Sequence, residues 1–318
     1  MNKLLAAAAV LALAVSCSPE KHEDAPKESQ APSLPDAVIA DPARNEKNPA
    51  SNRQLLIPSE GMGMNALMLR AAGAGPHPTM LLLHGLPGNE QNLDLAQAVR
   101  RAGWNVLTLH YRGSWGSPGN FSIAGAIADA EAAMDFLRQD DNARSYGVDP
   151  QRLVIAGHSM GGLAAALQAA GDPRVAGLVL IDAWDAGATA AALAEGGDAA
   201  REAFQKGLDD LGNSLKGANV ESLTDELLDH QSEWSLMPVA PELARVPMLS
   251  IYATHGGAAE NKALAEAVGK AAGASVKAVE LASDHSFADK RIALAAEVVR
   301  WLDALPKTAA GAAPVPAQ

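Results

Sequence analysis

The sequence predicts an α/β fold built on a mostly parallel, doubly wound sheet. Three observations support this prediction. Short apolar segments recur along the middle of the chain, segments with helical spacing lie between them, and the apolar segments lack the polar alternation of half-exposed strands. Strands that alternate with helices favour parallel pairing, with helices on both faces of the sheet. At 318 residues the chain is long enough to bury a core of this kind.

Six apolar segments are predicted to be buried strands, because each is short and is bounded by turn-forming residues. They are Thr79–His84, Trp104–Tyr111, Arg152–Gly157, Val175–Asp182, Met248–Tyr252 and Val276–Leu281. An earlier segment, Ala66–Arg70, is predicted to be an antiparallel edge strand. Two apolar stripes with helical spacing lie between the strands. One stripe is Ile123, Ile127, Ala130, Met134 and Leu137, and the other is Ile292, Ala295, Val299 and Leu302.

The stretch from Trp184 to Arg245 interrupts this alternation, because it contains no convincing strand. It is rich in Ala, Glu, Asp, Leu and Gly, and it lies between two predicted strands. Long insertions in compact domains are usually functional or disordered. We expect a helical lid at about residues 184–245, lying over the carboxyl ends of the strands.

Both ends of the chain are expected to lie outside the folded domain. Residues 1–16 have a positively charged start and an apolar run too short to span a bilayer, which is typical of a secretory signal. The run ends at Cys17 and resembles a bacterial lipoprotein signal, so Cys17 is the expected site of lipid attachment; an ordinary signal peptide is the alternative. Residues 17–53 predict a disordered tether, 54–305 the folded domain and 306–318 a disordered tail. The protein is therefore expected to be exported to the periplasm or cell envelope and anchored to a membrane.

Composition excludes several classes of function. The chain has 37 acidic and 25 basic side chains, a formal net charge of −12. This balance argues against nucleic acid as a partner, since phosphate binding needs clustered Lys and Arg. A single cysteine allows no intramolecular disulfide and no cysteine-cluster metal site. An enzyme or a binding domain remains.

The segment from Gly157 to Gly162 predicts a nucleophile at the end of a strand. It reads Gly-His-Ser-Met-Gly-Gly and stands between a predicted strand and a predicted helix. The pattern Gly-x-Ser-x-Gly is typical of a sharp turn that holds a serine in a strained conformation, with glycines two positions away to avoid collision. Ser159 is therefore the candidate nucleophile, and the amino end of the following helix favours negative charge near its hydroxyl.

A second loop is expected to supply hydrogen-bond donors beside Ser159. The strand that ends at His84 runs into a His-Gly-x-x-Gly loop, whose glycines allow amide groups to turn inward. Acyl transfer needs two donors for the oxyanion that forms as the serine attacks. We assign them to the amides of Leu86 and Met160. His84 is expected to shape the loop, and Arg112, in the glycine-rich loop after the next strand, to tie loops together.

His285 is the candidate base among the eight histidines. A serine hydroxyl is a poor nucleophile without a base. His285 stands in the sequence Ser-Asp-His-Ser-Phe, after the last predicted strand and before the last predicted helix.

Taken together, residues 54–305 resemble the α/β-hydrolase superfamily. The His-Gly loop, the Gly-His-Ser-Met-Gly-Gly turn and the final Asp-His-Ser-Phe fit the superfamily's chain order of serine, acid and histidine. The sequence around residues 84–122 is similar to bacterial esterases and peptidase-like hydrolases of that superfamily. The resemblance implies the α/β-hydrolase fold, with His285 where this fold carries its base. It also implies hydrolysis of an ester, amide or related acyl bond through an acyl-serine intermediate, with no metal or organic cofactor.

The acid that would orient His285 is the point at which the sequence departs from the superfamily. Relatives usually supply an aspartate a few residues beyond the strand that here ends at Tyr252, but this stretch reads Ala-Thr-His-Gly-Gly-Ala-Ala-Glu. Glu260 is the favoured substitute, since it lies in the right connection and has a longer side chain. Asp182, at the end of the preceding strand, and Asp185 are the alternatives. A chain without any triad acid is the third possibility.

The leading interpretation is a serine hydrolase that cleaves a small carboxylic ester in the cell envelope. A serine peptidase related to prolyl oligopeptidases is the nearer alternative, although such relatives usually carry a large N-terminal propeller that a short tether cannot form. The other alternative is a non-catalytic envelope binding protein that keeps the fold and lacks the acid. The sequence leaves the oligomeric state open.

Overall fold

A computed structural model of the protein describes residues 33–208, 211 and 214–307. The chain divides at Ser33, and the fold described below is that of the unit from Leu34 onward. The predicted signal peptide, Cys17, most of the predicted tether and the tail from residue 308 lie outside the described residues. Within those residues, we find no helix with the length and apolar character needed to cross a membrane.

Eight strands form one mixed sheet. In chain order they are β1 (Ser51–Ser59), β2 (Met62–Arg70), β3 (His77–Leu83), β4 (Asn105–Leu109), β5 (Val148–His158), β6 (Gly177–Ile181), β7 (Met248–His255) and β8 (Val276–Asp284). Their order across the sheet is β1-β2-β4-β3-β5-β6-β7-β8. The strands from β3 to β8 pair in parallel, whereas β2 pairs antiparallel with both β1 and β4. The predicted α/β fold with a mostly parallel sheet is confirmed.

Helices connect the strands and cover the sheet. The α-helices of the described residues are α1 (Asp36–Ile39), α2 (Leu93–Arg101), α3 (Ile123–Arg138), α4 (Asp140–Tyr146), α5 (Met160–Gly171), α6 (Ala186–Gly207), α7 (Val220–Asp229), α8 (Ala240–Leu243), α9 (Ala258–Gly269) and α10 (Arg291–Ala304). The insertion between β6 and β7 contains α6, α7 and α8, so the predicted helices are present there. Helix α6 is kinked at Gly197.

The core consists of two layers, one on each face of the sheet. One layer contains α3 and α5, and the other contains α2 and α10. Along β5, Leu153 and Ile155 pack into the first layer, whereas Val154 and Ala156 pack into the second. Consecutive apolar residues are therefore buried on opposite faces, which explains why the strand segments show no alternation in the sequence.

Three predictions about individual elements are wrong. Ala66–Arg70 lies in β2, but β1 covers that strand and forms the edge instead. The segment Val276–Leu281 is not a buried strand, because β8 has a neighbour on one side only and most of its residues are partly or fully exposed. Ile292 does not belong to the buried stripe of α10, since it is exposed while Leu294 and Val298 face the core.

Part of the predicted tether is also folded. Helix α1 packs Ala37 and Val38 against the core layer that contains α2 and α10. The Ala37 carbonyl accepts a hydrogen bond from Arg101 Nε at 2.6 Å. Strand β1 begins at Ser51 and pairs along its length with β2. Because this pairing uses backbone groups, a polar composition does not prevent it, and the tether prediction fails for the segment that carries these elements.

Candidate active site

Ser159 occupies a sharp turn between β5 and α5. Its backbone has φ 54° and ψ −120°, a conformation that side-chain-bearing residues rarely adopt. The glycines on each side make the turn possible. A Cβ atom at Gly157 would lie 1.9 Å from the Gly161 carbonyl oxygen, and one at Gly161 would lie 2.4 Å from the Leu83 carbonyl oxygen. The chain therefore has to carry glycine at both positions in order to present Ser159 beyond the sheet.

Replacing Gly157 by alanine should destabilise the protein, because the added methyl group overlaps backbone that cannot move independently. We expect a loss of about 3 kcal/mol, typical of a severe steric conflict in a packed core. For a domain of this size that loss lowers Tm by roughly 6–12 °C. Thermal unfolding of the variant measures the effect.

Gly171→Ala is the matched control, because a Cβ atom at Gly171 would meet nothing within 4 Å. Its Tm should equal or slightly exceed that of the unmodified protein. A Gly157→Ala protein that melted within 2 °C of the control would contradict the close packing of the turn.

His285 lies in the loop between β8 and α10 and is held by a buried carboxylate. Its Nδ1 donates a hydrogen bond to Asp182 Oδ2 at 2.5 Å. Since Nδ1 carries the proton in the neutral ring, Nε2 is the nitrogen left to accept one. The side chains of His285 and Ser159 line the same cavity. The two residues that sequence reasoning singled out are therefore brought to one site.

Asp182 follows β6 directly and is fully buried. Its Oδ1 accepts hydrogen bonds from the amides of Ala253 and Gly257, each at 3.1 Å, and Oδ2 accepts from Gly257 at 3.0 Å. Its backbone has a positive φ of 44°. Because both oxygens are fixed by amides from the end of β7 and the loop that follows it, the carboxylate has one orientation available toward His285.

The preference for Glu260 as the partner of His285 is therefore corrected in favour of Asp182, which was an alternative. Glu260 lies in the first turn of α9, and its carboxylate has no hydrogen-bond partner among the described residues. Asp185 is engaged elsewhere. It caps α6 by accepting from the Ala188 amide at 2.9 Å, and it accepts from the Leu236 amide at 3.2 Å.

Sequence reasoning missed the residues that accommodate Asp182. A Cβ atom at Gly256 would lie 2.0 Å from Asp182 Oδ2, so the carboxylate fits only against a glycine. Asn261, nearly fully buried, accepts from the Ala183 amide at 3.0 Å and donates to the Ala183 carbonyl at 2.9 Å. The sequence does carry a signal for this arrangement. The Gly256-Gly257 pair stands in the loop where an aspartate was expected, and it leaves space for a carboxylate from a neighbouring strand.

The loop after β3 approaches Ser159 closely. A Cβ atom at Gly85 would lie 2.8 Å from Ser159 Cβ. The next residue, Leu86, lines the cavity, and its amide has no acceptor among the described residues. Met160 is the first residue of α5, so its amide has no partner within the helix. These two amides are available to an oxyanion, and their role stays a prediction.

Two buried side chains, His84 and Tyr111, and the exposed Trp115 hold that loop in place. Burial lowers the pKa of His84 to about 4, so the ring is neutral. Its Nδ1 donates to the Gly85 carbonyl at 2.8 Å, while the Tyr111 hydroxyl donates to the His84 carbonyl at 3.0 Å. The Trp115 indole donates to the Pro87 carbonyl at 2.7 Å. His84 thus shapes the loop, as expected, and Trp115 is a contributor that sequence reasoning missed.

His158 connects the serine turn to the histidine loop. Burial lowers the pKa of His158 to about 4, so its ring is also neutral. Its Nε2 donates to the His285 carbonyl at 2.8 Å. The bond fixes the backbone that carries His285 relative to the residue preceding Ser159.

Arg112 joins the β1–β2 turn to α3. Its Nε donates to Asp129 Oδ1 at 2.6 Å, and its guanidinium also contacts Glu60. Asp129 is fully buried and accepts a further hydrogen bond from the Ser59 hydroxyl at 2.6 Å. Arg112 was expected to tie loops together; it links its own loop to the β1–β2 turn and also to helix α3.

A cavity of about 500 Å³ opens at Ser159 and His285. The insertion forms one wall of the cavity through α6. The lining residues are Leu86, Ser159, Asp182, Ala183, Trp184, Asp185, Ala188, Thr189, Ala192, Phe204, Leu208, Gly256, Gly257, Glu260 and His285. In the part of the chain that the structure describes, no group of three or more His, Cys, Asp or Glu side chains is placed to hold a metal ion.

Comparison with known sequences agrees with the fold described above. A sequence model described as the alpha/beta hydrolase family matches residues 80–301. An uncharacterized protein of Mycobacterium tuberculosis is 31% identical over 121 residues, which cover 38% of this chain and 41% of that protein. The alpha/beta hydrolase domain-containing protein WAV2 of Arabidopsis thaliana is 30% identical over 125 residues, covering 38% and 39%. The lysophosphatidylserine lipase ABHD12 of Danio rerio is 33% identical over 88 residues, covering 27% and 21%. The matched segments span about two fifths or less of these relatives.

Solved structures share the fold over most of the chain. A fungal esterase from Rhizomucor miehei has a TM-score of 0.58 at 19% identity, covering 81% of this chain and 84% of that one. The carboxylesterase EstE1 from a metagenomic library has a TM-score of 0.55 at 22% identity, covering 80% and 90%. The enol-lactonase of Burkholderia xenovorans LB400 has a TM-score of 0.54 at 22% identity, covering 77% and 98%.

Proposed function

Because the chain belongs to the alpha/beta hydrolase family, we propose that it is a serine hydrolase that cleaves carboxylic esters. The observation that carries this proposal is the Asp182–His285 hydrogen bond at 2.5 Å, in a cavity that also contains the strained Ser159. A carboxylate, an imidazole and a serine in this arrangement are the parts that acyl transfer requires.

In the proposed reaction, Ser159 Oγ attacks the ester carbonyl carbon and its proton moves to His285 Nε2. The amides of Leu86 and Met160 donate to the oxyanion that forms on the carbonyl oxygen. The carbon–oxygen bond to the alcohol then breaks, and the alcohol leaves with the proton from His285. Water then attacks the carbonyl carbon of the acyl-serine and gives a proton to His285 Nε2. The bond to Ser159 Oγ breaks, the carboxylic acid product leaves, and Ser159 takes the proton back. Asp182 stabilises the imidazolium in both halves.

Ester rather than amide cleavage is favoured by the fold relatives, whose described activities are those of esterases and a lactonase. A serine peptidase related to prolyl oligopeptidases and a non-catalytic binding protein are the alternatives that the experiment below separates. Location in the cell envelope is part of the proposal and is supported by the apolar start of the sequence and by Cys17.

Treatment of the purified protein with a fluorophosphonate probe tests the proposal. We expect one covalent adduct, which peptide mass spectrometry assigns to Ser159. Heat-denatured protein is the control and should not react, because the reactivity depends on the folded turn and on His285. If the native protein formed no adduct, the serine hydrolase proposal would be contradicted and the non-catalytic binding protein would be favoured.

The same preparation should hydrolyse p-nitrophenyl esters faster than acyl-matched p-nitroanilides. Faster cleavage of peptidyl anilides would favour the peptidase. In fractionated cells, the labelled protein should occur in the membrane fraction, and Cys17→Ala should move it to the soluble fraction. Unchanged fractionation of that variant would contradict lipid attachment.

A further inference from the structure

Glu260 is the one carboxylate of the described cavity lining that no protein group neutralises or binds. Asp182 is held by His285 and two amides, and Asp185 by the amides of Ala188 and Leu236. Glu260, in contrast, is exposed and has no hydrogen-bond partner among the described residues. It stands three residues after Gly257, whose amide binds Asp182, and it lines the same cavity as Ser159 and His285.

The cavity lining as a whole is poor in positive charge. Three carboxylates and a single histidine are present, and none of the described lining residues is Lys or Arg. A substrate with a carboxylate or phosphate near the scissile bond would therefore meet like charge and find no compensating cation. A substrate with a positive charge would meet the unpaired Glu260.

The cavity walls also carry the side chains that a methylated ammonium group would contact favourably. Trp184 and Phe204 supply aromatic surface, and Ala188 and Ala192 supply small apolar surface. The Trp184 indole is fixed by its donation to Thr189 Oγ1 at 2.8 Å. A cavity that is lined by aromatic rings and also by a carboxylate can bind an ammonium group through both cation–π attraction and charge.

We infer that the cavity takes esters whose acyl or alcohol portion carries an ammonium group, and that Glu260 selects for that positive charge. This inference rests on the proposed function and names a substrate class for the same site. It also gives Glu260 a role in specificity in place of the one that the sequence favoured.

Isosteric substrate pairs test the inference. On the alcohol side, acetylthiocholine is compared with 3,3-dimethylbutyl thioacetate, in which carbon replaces the charged nitrogen. On the acyl side, p-nitrophenyl 4-(trimethylammonio)butanoate is compared with p-nitrophenyl 5,5-dimethylhexanoate. In at least one pair, kcat/KM for the cation should exceed that for its neutral isostere about ten-fold at low salt. Addition of 1 M NaCl should reduce this ratio, because the charge of Glu260 is screened.

Variants assign the preference to Glu260. Glu260→Gln should bring the cation-to-neutral ratio close to one, and Glu260→Lys should bring it below one. Glu266→Gln is the matched control, since it removes the same charge from an exposed position of the same helix outside the cavity lining, and it should preserve the ratio. A ratio at or below one in both substrate pairs, or equal ratios in Glu260→Gln and Glu266→Gln, would overturn the inference.

Protection of Ser159 from the fluorophosphonate gives a measurement that needs no turnover. Choline should slow labelling at about ten-fold lower concentration than its neutral isostere 3,3-dimethyl-1-butanol. Equal protection by the two alcohols, together with a ratio at or below one for the acyl pair, would refute charge selection while leaving the serine hydrolase proposal intact. If Ser159 were not labelled at all, even without a competing alcohol, the serine hydrolase proposal itself would be contradicted.

Discussion

Ser159→Ala should reduce kcat for p-nitrophenyl butyrate about 10⁵- to 10⁶-fold, which is the range seen when a catalytic nucleophile is removed. The turn that carries Ser159 is fixed by its glycines, so alanine can occupy the same backbone conformation at little additional cost. The loss should therefore appear in turnover and not in stability. Initial rates and thermal melting of the same preparation measure the two effects separately.

Ser250→Ala provides the control for this variant. Ser250 is buried on β7, and its hydroxyl has no partner among the described side chains and backbone groups. Removing it should leave turnover unchanged and Tm equal or slightly higher, since an unpaired buried hydroxyl is unfavourable. If Ser159→Ala retained more than one hundredth of the activity of this control, an acyl-serine mechanism would no longer be tenable.

Asp182→Asn should lower kcat about 10⁴-fold, because it reverses the proton arrangement of His285. The amide of Ala253 donates to Asp182 Oδ1, so the oxygen of an asparagine side chain has to remain on that side. The amide nitrogen then faces His285 Nδ1 and donates to it. The ring is left with its proton on Nε2, where it can no longer accept the proton of Ser159.

Initial rates of Asp182→Asn and Glu260→Gln on a neutral ester separate the two candidate acids. The asparagine variant should be slower than the glutamine variant by at least a hundred-fold. Similar rates in both variants would show that Asp182 does not serve as the acid. The near-ultraviolet circular dichroism of each variant should match that of the unmodified protein, because both substitutions preserve side-chain size.

The positions of Ser159 and His285 in the fold could be predicted because their signals are local. Ser159 stands in a short pattern that requires a strand before it and a helix after it, and both are present. His285 is found by its place between the last strand and the last helix. Parallel strands bring their carboxyl ends to one edge of the sheet. Assigning the strand before each residue was therefore enough to place Ser159 and His285 at the same edge.

The carboxylate that binds His285 could not be assigned from the sequence, because its identity depends on distances between the ends of three strands. The end of β7 and the loop that follows it lie against the end of β6, where the Ala253 and Gly257 amides reach Asp182. Sequence reasoning treated Gly256 as the absence of an acid, whereas in three dimensions it is the space into which a neighbouring acid extends. The missed helix α1 has a similar origin, since its few buried contacts are made with α2 and α10 from distant parts of the chain.

The contact between Gly256 and Asp182 makes position 256 intolerant of side chains. Any side chain introduced there begins with a Cβ atom 2.0 Å from Asp182 Oδ2. Because that oxygen is the one that accepts from His285, even alanine would have to displace the carboxylate or the loop from the imidazole. Position 256 is therefore expected to be as sensitive to substitution as the ionisable residues around it, although glycine offers no reactive group of its own.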